Sequence, residues 1–558
     1  MSGNLPGGKA VLEGLMQDAQ LTVGEIRRRM ARCYGDREVV TLQEAPARST
    51  RATYAEVAER VERLGRVLER LGVQRGERVG TFGWNSQRHF ELYLAIPSFG
   101  AVLHTINIRL FPEQIEYIVG HAENRVVFID DSLAPQLAKL ARRFSRVEHF
   151  VVMGDADDGG LPNVSRYEDL LKEADAGPYD WPEVDERQAA ALCYTSGTTG
   201  NPKGVLYSHR SVSLHSTAVC MTDAVGLSRE DRVVAVVPMF HVNAWGLPFA
   251  AAMTGAGLIM PNRFVAAAPL ARAIADERAT LVAGVPTVLG DLLRHADAQK
   301  PDFSSLRGGI CGGAAVPRTL MEGFERHGVR LLQAWGMTET SPLCTVARAP
   351  EEAEGEAHWA KRVTQGRIMP WVELRIADAD GRHREWDGEA TGEIEVHGPW
   401  IASRYYEDPS GDTQFTEDGW LRTGDIGSVT PDGFVQITDR AKDLIKSGGE
   451  WISSVEVEGE LMEHESVLEA AVIAMSDERW TERPLACVVL ADGAEADPIV
   501  LRKHLAGRMA GWQVPDVFAF IDEVPKTSVG KFDKKVLRKR LADGELETIG
   551  GKREKSDA

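Results

Sequence analysis

The 558-residue chain is poor in cysteine and in aromatic residues, and it has no basic excess. Its six cysteines, Cys33, Cys193, Cys220, Cys311, Cys344 and Cys487, are scattered, and no pair has C-x-x-C spacing. That excludes the usual thiolate metal and redox motifs, and the six read as reduced thiols. Sixty-four Lys and Arg stand against 83 Asp and Glu, a net charge of −19. This argues against a general nucleic-acid binder, which needs a basic surface. It leaves room for a local basic site that takes a phosphate. The longest apolar stretch, Trp245 to Pro261, is interrupted by Gly, Thr and Pro and falls short of the roughly 20 residues a membrane span requires. The opening residues, MSGNLPGGKAVLEG, lack the charged-then-apolar order of a signal peptide, so the expected location is the cytoplasm.

What is present is ordinary for a globular protein: 43% hydrophobic and 26% charged residues in a chain long enough for more than one core. Val57, Val61, Leu64, Leu68 and Leu71 follow 4-3-4-3 spacing, which predicts a helix with one apolar face. Short apolar runs at Arg78–Trp84, Val126–Ile129, Val233–Val237 and Leu281–Val285 read as strands between helices. Such alternation predicts parallel sheets covered by helices, an α/β fold. The acidic stretches Asp175–Arg187 and Pro350–Glu356 read as loops. After Asp439 the pattern changes: strands at Leu468–Met475, Leu485–Leu490 and Val517–Ile521 with a helix near Ile499–Met509 predict a small α+β unit. Residues from about Leu541 are polar and read as a frayed tail.

The strongest local signal is YTSGTTGNPKG, Tyr194 to Gly204. Its glycines and hydroxyl residues (Thr195, Ser196, Gly197, Thr198, Thr199, Gly200) form a loop whose backbone N–H groups can approach phosphate, and Lys203 adds a point charge. It is no Walker A loop, because Pro202 stands where that motif needs glycine.

This segment resembles the phosphate loop of the adenylate-forming superfamily of acyl-CoA synthetases, peptide-synthetase adenylation domains and beetle luciferases. The rest of that family's pattern follows in order: GGAAVP at Gly312, WGMTET at Trp335, GWLRTGD at Gly419, DRAKD at Asp439 and PKTSVGK at Pro525. The resemblance covers nearly the whole chain. It implies a large N-terminal domain (1–438) of two helix-flanked sheets plus a small β-barrel, a hinge at 439–443, and a small mobile α+β C-terminal domain (444–558).

The resemblance also implies roles. Thr338 would contact the α-phosphate and Glu339 a Mg²⁺, with Thr195 as a further contact, the oxygen ligands a hard cation prefers. Asp425 would hold the ribose hydroxyls, supported by Arg440. Gly313, Ala314, Gln333, Ala334, Trp335 and Gly336 would line the adenine pocket, with Trp335 in place of the family's frequent tyrosine. Lys531 matches the catalytic lysine that stabilises charge during adenylation. Rotation about Lys442 would then replace it with the segment Lys446, Gly448, Gly449, Glu450 and Trp451 for thioester formation, with Lys446 also near the nucleotide.

The run MFHVNAWGLPF from Met239 resembles that of a bacterial long-chain fatty acyl-CoA synthetase. His241 and Val242 would border the acyl group, and Trp245 would gate it. His209 and His215 form no metal constellation and read as structural. The expected activity is therefore an ATP-dependent, AMP-forming acyl-CoA synthetase with ATP, coenzyme A and Mg²⁺, for medium- or long-chain fatty acids. A short, thioether or aromatic acid, or another acceptor, is the alternative. Its expected partners are small molecules and a second copy of itself, as a homodimer, with no nucleic acid and no integral membrane segment.

Overall fold

The computed structural model describes residues 14–44, 49–195, 201–378, 380–440, 442–447, 450–477, 479–491, 493–495, 497–527 and 532–550. The helix expected from the Val57 spacing runs Tyr54–Arg70, and Val57, Val61, Leu64 and Leu68 are fully buried along it. A capping box between Thr53 and Glu56 starts it, satisfying two otherwise unpaired N–H groups.

One sheet of seven strands has Arg78–Phe82 near its centre, with Val102–Thr105 and Val126–Asp130 as parallel neighbours. Every residue of Val126–Asp130 is buried, as expected of a strand covered on both faces. At one edge Ala189–Tyr194 and Gly204–Ser208 pair antiparallel, with Tyr194 opposite Gly204.

A second sheet has fourteen strands. Its parallel core is Arg330–Gly336, Gly308–Gly312, Leu281–Gly284, Arg232–Ala235 and Gly257–Met260 in spatial order. The chain leaves Arg232–Ala235 toward Gly257–Met260 on one side and returns to Leu281–Gly284 on the other. Ligands in open α/β sheets bind beyond the carboxyl ends of the strands at such a reversal. The segments Met239–Trp245, Val285–Pro286, Gly313–Pro317 and Met337–Glu339 all follow those ends. Beyond Arg330–Gly336 the sheet becomes antiparallel through Leu343–Val346, Gly366–Ile368, Phe434–Arg440, Leu421–Val429, Gly392–His397 and Glu373–Ala377. The small barrel-like portion expected from the resemblance is therefore continuous with a main sheet, because Leu343–Val346 folds back on Arg330–Gly336 and carries the ladder onward.

Phe434–Arg440 belongs to the large sheet and Ile445–Ser447 to a separate six-stranded sheet. That smaller sheet includes Val467–Asp477, Thr481–Leu490 and Val517–Phe520, with helices Ser454–Met462, Pro498–Ala506 and Lys534–Ala542. The large N-terminal α/β part and smaller C-terminal part anticipated from the sequence are both present. Up to Gly550 the chain is more ordered than its polarity suggested. Thr548–Gly550 pairs with Val517–Ala519, satisfying backbone groups that would otherwise face an open sheet edge. Among the described residues, no helix is long and apolar enough to cross a membrane. Cys193, Cys311, Cys344 and Cys487 are buried free thiols, Cys220 is half-buried and free, and Cys33 is an exposed free thiol.

Candidate active site

The strand ends open into a cleft of about 1510 Å³ that the C-terminal part also lines, through Glu456, Gly459, Lys526 and Phe532. Thr195 and Lys203 stand at its edge, clasped to each other. Lys203 N–H donates to Thr195 Oγ1 at 3.1 Å, and Thr195 N–H donates to the Lys203 carbonyl at 2.9 Å. The loop ends are thus fixed whatever lies between them. Ser196, Gly197, Thr198, Thr199 and Gly200 lie outside the described residues.

Lys203 is held over a ring: its Nζ sits 4.8 Å from the centroid of Tyr405, a cation–π distance. The same tyrosine donates its hydroxyl to Glu339 Oε1 at 2.6 Å. Burial, then the adjacent Glu339 carboxylate, pushes the Tyr405 phenol far up, so it stays a donor. The motif TET is held from behind as well. Tyr207 Oη donates to the Thr338 carbonyl at 2.6 Å, and Ala402 N–H donates to the Glu339 carbonyl at 2.7 Å. A Cβ at Gly336 would lie 1.6 Å from the Pro342 carbonyl, so glycine is obligatory where this turn folds onto itself.

The aromatic at the third motif has a specific second partner. Trp335 Nε1–H donates to Asp425 Oδ2 at 2.8 Å, while Arg440 Nε contacts Oδ1 at 2.5 Å. One residue from the parallel part of the sheet and two from paired antiparallel strands thus meet at one buried carboxylate, since Asp425 lies opposite Arg440 in register. Gln333 supports the neighbouring turn by accepting from Val316 N–H at 2.9 Å, and Gly313 has φ +87°, where a side chain would be strained. Gly313, Ala314, Ala334, Gly336, Thr338 and Lys442 all line the same cleft. Burial lowers the Lys442 ammonium from its ordinary value.

His241, Val242 and Trp245 line the same cleft. Val242, Asn243, Ala244 and Trp245 have φ between 45° and 58°, a left-handed turn of four non-glycine residues. That conformation costs roughly 1–2 kcal/mol per residue. It is held by Gly246, whose own positive φ and missing side chain let His215 pack within 2.7 Å of the Cβ position. His215 Nε2 in turn accepts from Leu343 N–H at 3.2 Å, and burial lowers its pKa to about 3. His209 accepts from Val23 N–H at 3.2 Å, at the start of helix Val23–Cys33. Both act as neutral structural acceptors.

Lys446, Glu450 and Trp451 lie on a hairpin of the smaller sheet, Ile445–Ser447 with Glu450–Ile452. Lys446 does not line this cleft. Gly448, Gly449 and Lys531 fall outside the described residues. The stem that carries Lys531 is fixed: Lys526 pairs with Phe532, and Lys526 Nζ reaches Glu469 at 2.6 Å. Sequence reasoning missed Tyr405 and Tyr207, and it named Asp439 only as part of a motif and hinge. Tyr405 meets Glu339 across 66 residues, which no local pattern announces. Asp439 lines the cleft and accepts from Ser454 N–H and Oγ at 2.5 and 2.6 Å, tying the last large-sheet strand to a C-terminal helix.

Thr195, Lys203, Thr338, Glu339, Asp425 and Arg440 are thus gathered around one cleft at the strand ends. The chain belongs to the AMP-binding enzyme family, whose model matches residues 27–406, with the AMP-binding enzyme C-terminal domain at 456–531. It is 41% identical to a 3-methylmercaptopropionyl-CoA ligase of Ruegeria lacuscaerulensis over 95% of this chain and 99% of that one. It is also 41% identical to a medium-chain-fatty-acid–CoA ligase of Ectopseudomonas oleovorans (95% and 98%). Identity is 44% to a long-chain-fatty-acid–CoA ligase of Thermus thermophilus (94% and 96%). Among solved structures, an anthranilate CoA ligase in complex with anthranoyl-AMP matches with TM-score 0.84 and 26% identity over 94% of this chain and 98% of that one.

Proposed function

We propose that this AMP-forming acid–thiol ligase converts a saturated carboxylic acid of medium to long chain length to its CoA thioester. The observation that carries the acid class is the set of apolar side chains that line the cleft along with Trp245, namely Val219, Val225, Val237, Leu247, Ile310 and Leu343. In the first step a carboxylate oxygen attacks the α-phosphorus of ATP, the bond to the β-phosphate breaks, and pyrophosphate leaves. In the second the CoA sulfur attacks the acyl carbonyl, AMP departs with the bridging oxygen, and the thiol proton goes to solvent. No enzyme nucleophile is required.

Asp425 and Arg440 hold the ribose, Trp335 flanks adenine, and Lys203 meets the phosphates. Mg²⁺ enters with the nucleotide as its counter-cation. The Glu339 carboxylate, oriented by Tyr405, and the Thr195 hydroxyl fit it as oxygen donors beside phosphate. Lys531 serves adenylation, and turning of the C-terminal part about 439–443 presents Lys446–Trp451 for thioester formation. The division of labour is supported by the Lys526–Phe532 stem and by the change of sheet between Arg440 and Ile445. A short thioether acid is a second reading, favoured by the Ruegeria relative's substrate. The enzyme works in the cytoplasm as a homodimer; sedimentation as a monomer at micromolar concentration removes the dimer. The test of function is CoA-dependent AMP release with ATP, Mg²⁺ and saturated acids from acetate to palmitate, with the thioester confirmed by mass. A rise from short to longer chains is expected, and equal or no turnover across the series refutes the acid class.

A further inference from the structure

The C-terminal part carries a buried charged cluster that the reaction chemistry does not use. Lys534, in the first turn of helix Lys534–Ala542, reaches Glu458 Oε1 at 2.6 Å, and both side chains are buried. Glu458 also accepts from Val472 N–H at 2.7 Å, which seats helix Ser454–Met462 on strand Val467–Asp477. Taken alone, this is an ordinary ion pair within the smaller part.

Its connection to the large sheet sets it apart. Lys534 Nζ donates to Ser454 Oγ at 2.6 Å, and Ser454 Oγ donates to Asp439 Oδ2 at 2.6 Å. Ser454 N–H donates to the same oxygen at 2.5 Å. Asp439 is 1% exposed and belongs to strand Phe434–Arg440 of the large sheet, whereas Ser454 opens a helix of the smaller part. A carboxylate from one part thus sits on a helix N-terminus of the other, where the first N–H groups lack helical partners and the helix dipole favours negative charge. Ser453 adds a second crossing by donating its hydroxyl to the Thr438 carbonyl.

The cluster is coupled to the stem of Lys531. Asp533 N–H donates to the Pro525 carbonyl at 2.7 Å and closes that stem immediately before Lys534. One turn further along the helix, Arg538 Nη2 contacts Asp443 and donates to the Lys442 carbonyl at 3.4 Å. One helix therefore holds the base of the stem and reaches the chain on both sides of Lys442. Lys526 and Phe532 of the stem line the cleft and Lys446 does not, so these contacts belong to the orientation in which the stem faces the cleft. Turning about Lys442 keeps Asp439 with the large sheet and carries Ser454 and Lys534 away from it.

We propose that Asp439, Ser454 and Lys534 form a clasp across the hinge, as positioning residues that favour the adenylating orientation over the thioester-forming one. This rests on the two-orientation reading given above. The kcat/KM of each half-reaction refers its transition state to the same free enzyme, so the ratio of the two reads the difference between orientations. The experiment uses the full-length enzyme and the best acid of the acetate-to-palmitate series. It measures kcat/KM for ATP by acid-dependent pyrophosphate–ATP exchange, and kcat/KM for the matching acyl-AMP by thioester formation, with acid and CoA held well below saturation. Ser454→Ala removes the hydroxyl link and keeps the Lys534–Glu458 pair. The adenylation-to-thioester ratio should fall about 10-fold or more, the effect of one lost hydrogen bond to a charged acceptor. Asp439→Asn keeps the shape and removes the charge; it should lower the ratio in the same direction, and it covers the case in which Ser454→Ala fails to fold. A merely structural role lowers both half-reactions alike, so an unchanged or raised ratio in either folded variant overturns the clasp. A wild-type enzyme lacking either half-reaction would instead overturn the functional reading beneath it.

Discussion

Replacing Trp335 with phenylalanine keeps an aromatic face beside the nucleotide position but removes the N–H that donates to Asp425 Oδ2 at 2.8 Å. Asp425 is 2% exposed, so water does not readily replace the lost donor. A hydrogen bond to a charged acceptor is worth about 1.5–3 kcal/mol. Arg440 remains at Oδ1 and keeps the carboxylate compensated, which places the loss near the lower end, about 1.5 kcal/mol. If that carboxylate holds ribose, its orientation matters to ATP and not to the acid. The expected result is an apparent KM for ATP raised about 10-fold, since 1.4 kcal/mol is a factor of ten, with the KM for the acid unchanged. Initial rates of pyrophosphate release against ATP, at saturating acid, measure it, and a thermal melt records the accompanying loss of stability. Equal rises in the KM of ATP and acid, or no change in either, refute the assignment of this triad to the nucleotide.

Tyr405→Phe removes the hydroxyl on Glu339 while leaving the ring under Lys203, so adenylation should fall about 10-fold, within the range of a lost charge-assisted bond. Titrating Mg²⁺ at fixed ATP checks it: the variant should need more Mg²⁺, and an unchanged Mg²⁺ dependence speaks against Glu339 as its contact. Lys531→Ala should lose adenylation by on the order of 100-fold or more, as when other charge-stabilising donors are lost. Supplied acyl-AMP plus CoA should still give thioester, and equal loss in both assays refutes the two-face mechanism. Glu458 is buried against Lys534 at 2.6 Å, and burial raises its carboxyl to about 7, above its ordinary 4.5. A raised folded-state pKa gives stability that is complete below 4.5 and lost as pH rises through about 7. Glu458→Gln should flatten the melting-temperature profile between those values, and an identical slope in both proteins contradicts the shift.

The fold was legible where periodicity is strong. The 4-3-4-3 spacing from Val57 and the Val-rich runs at 126 and 233 are local consequences of one buried helix face and doubly covered strands. Boundaries moved by a few residues because caps and ladder ends depend on neighbours. The joining of the barrel-like part to a main sheet was not legible, since it depends on how Leu343–Val346 turns back on its partner. The polar tail misled because an edge strand such as Thr548–Gly550 is held by backbone groups and needs little apolar side chain. At the site, motif order named the residues that later line the cleft, among them Thr338, Glu339 and Asp425. It could not name Tyr405 or Tyr207, whose contacts span 66 and 131 residues, because their role is to orient others across the fold. The left-handed turn at Val242–Trp245 was likewise invisible, since nothing in V-N-A-W signals positive φ.

The central claim is a two-step reaction through an acyl-adenylate, and isotope exchange between pyrophosphate and ATP tests it most directly. With Mg²⁺ and a medium-chain acid but no CoA, the account predicts acid-dependent exchange of label into ATP, followed on CoA addition by equimolar AMP and acyl-CoA. Absence of acid-dependent exchange, or ADP and phosphate appearing with the thioester, would contradict it.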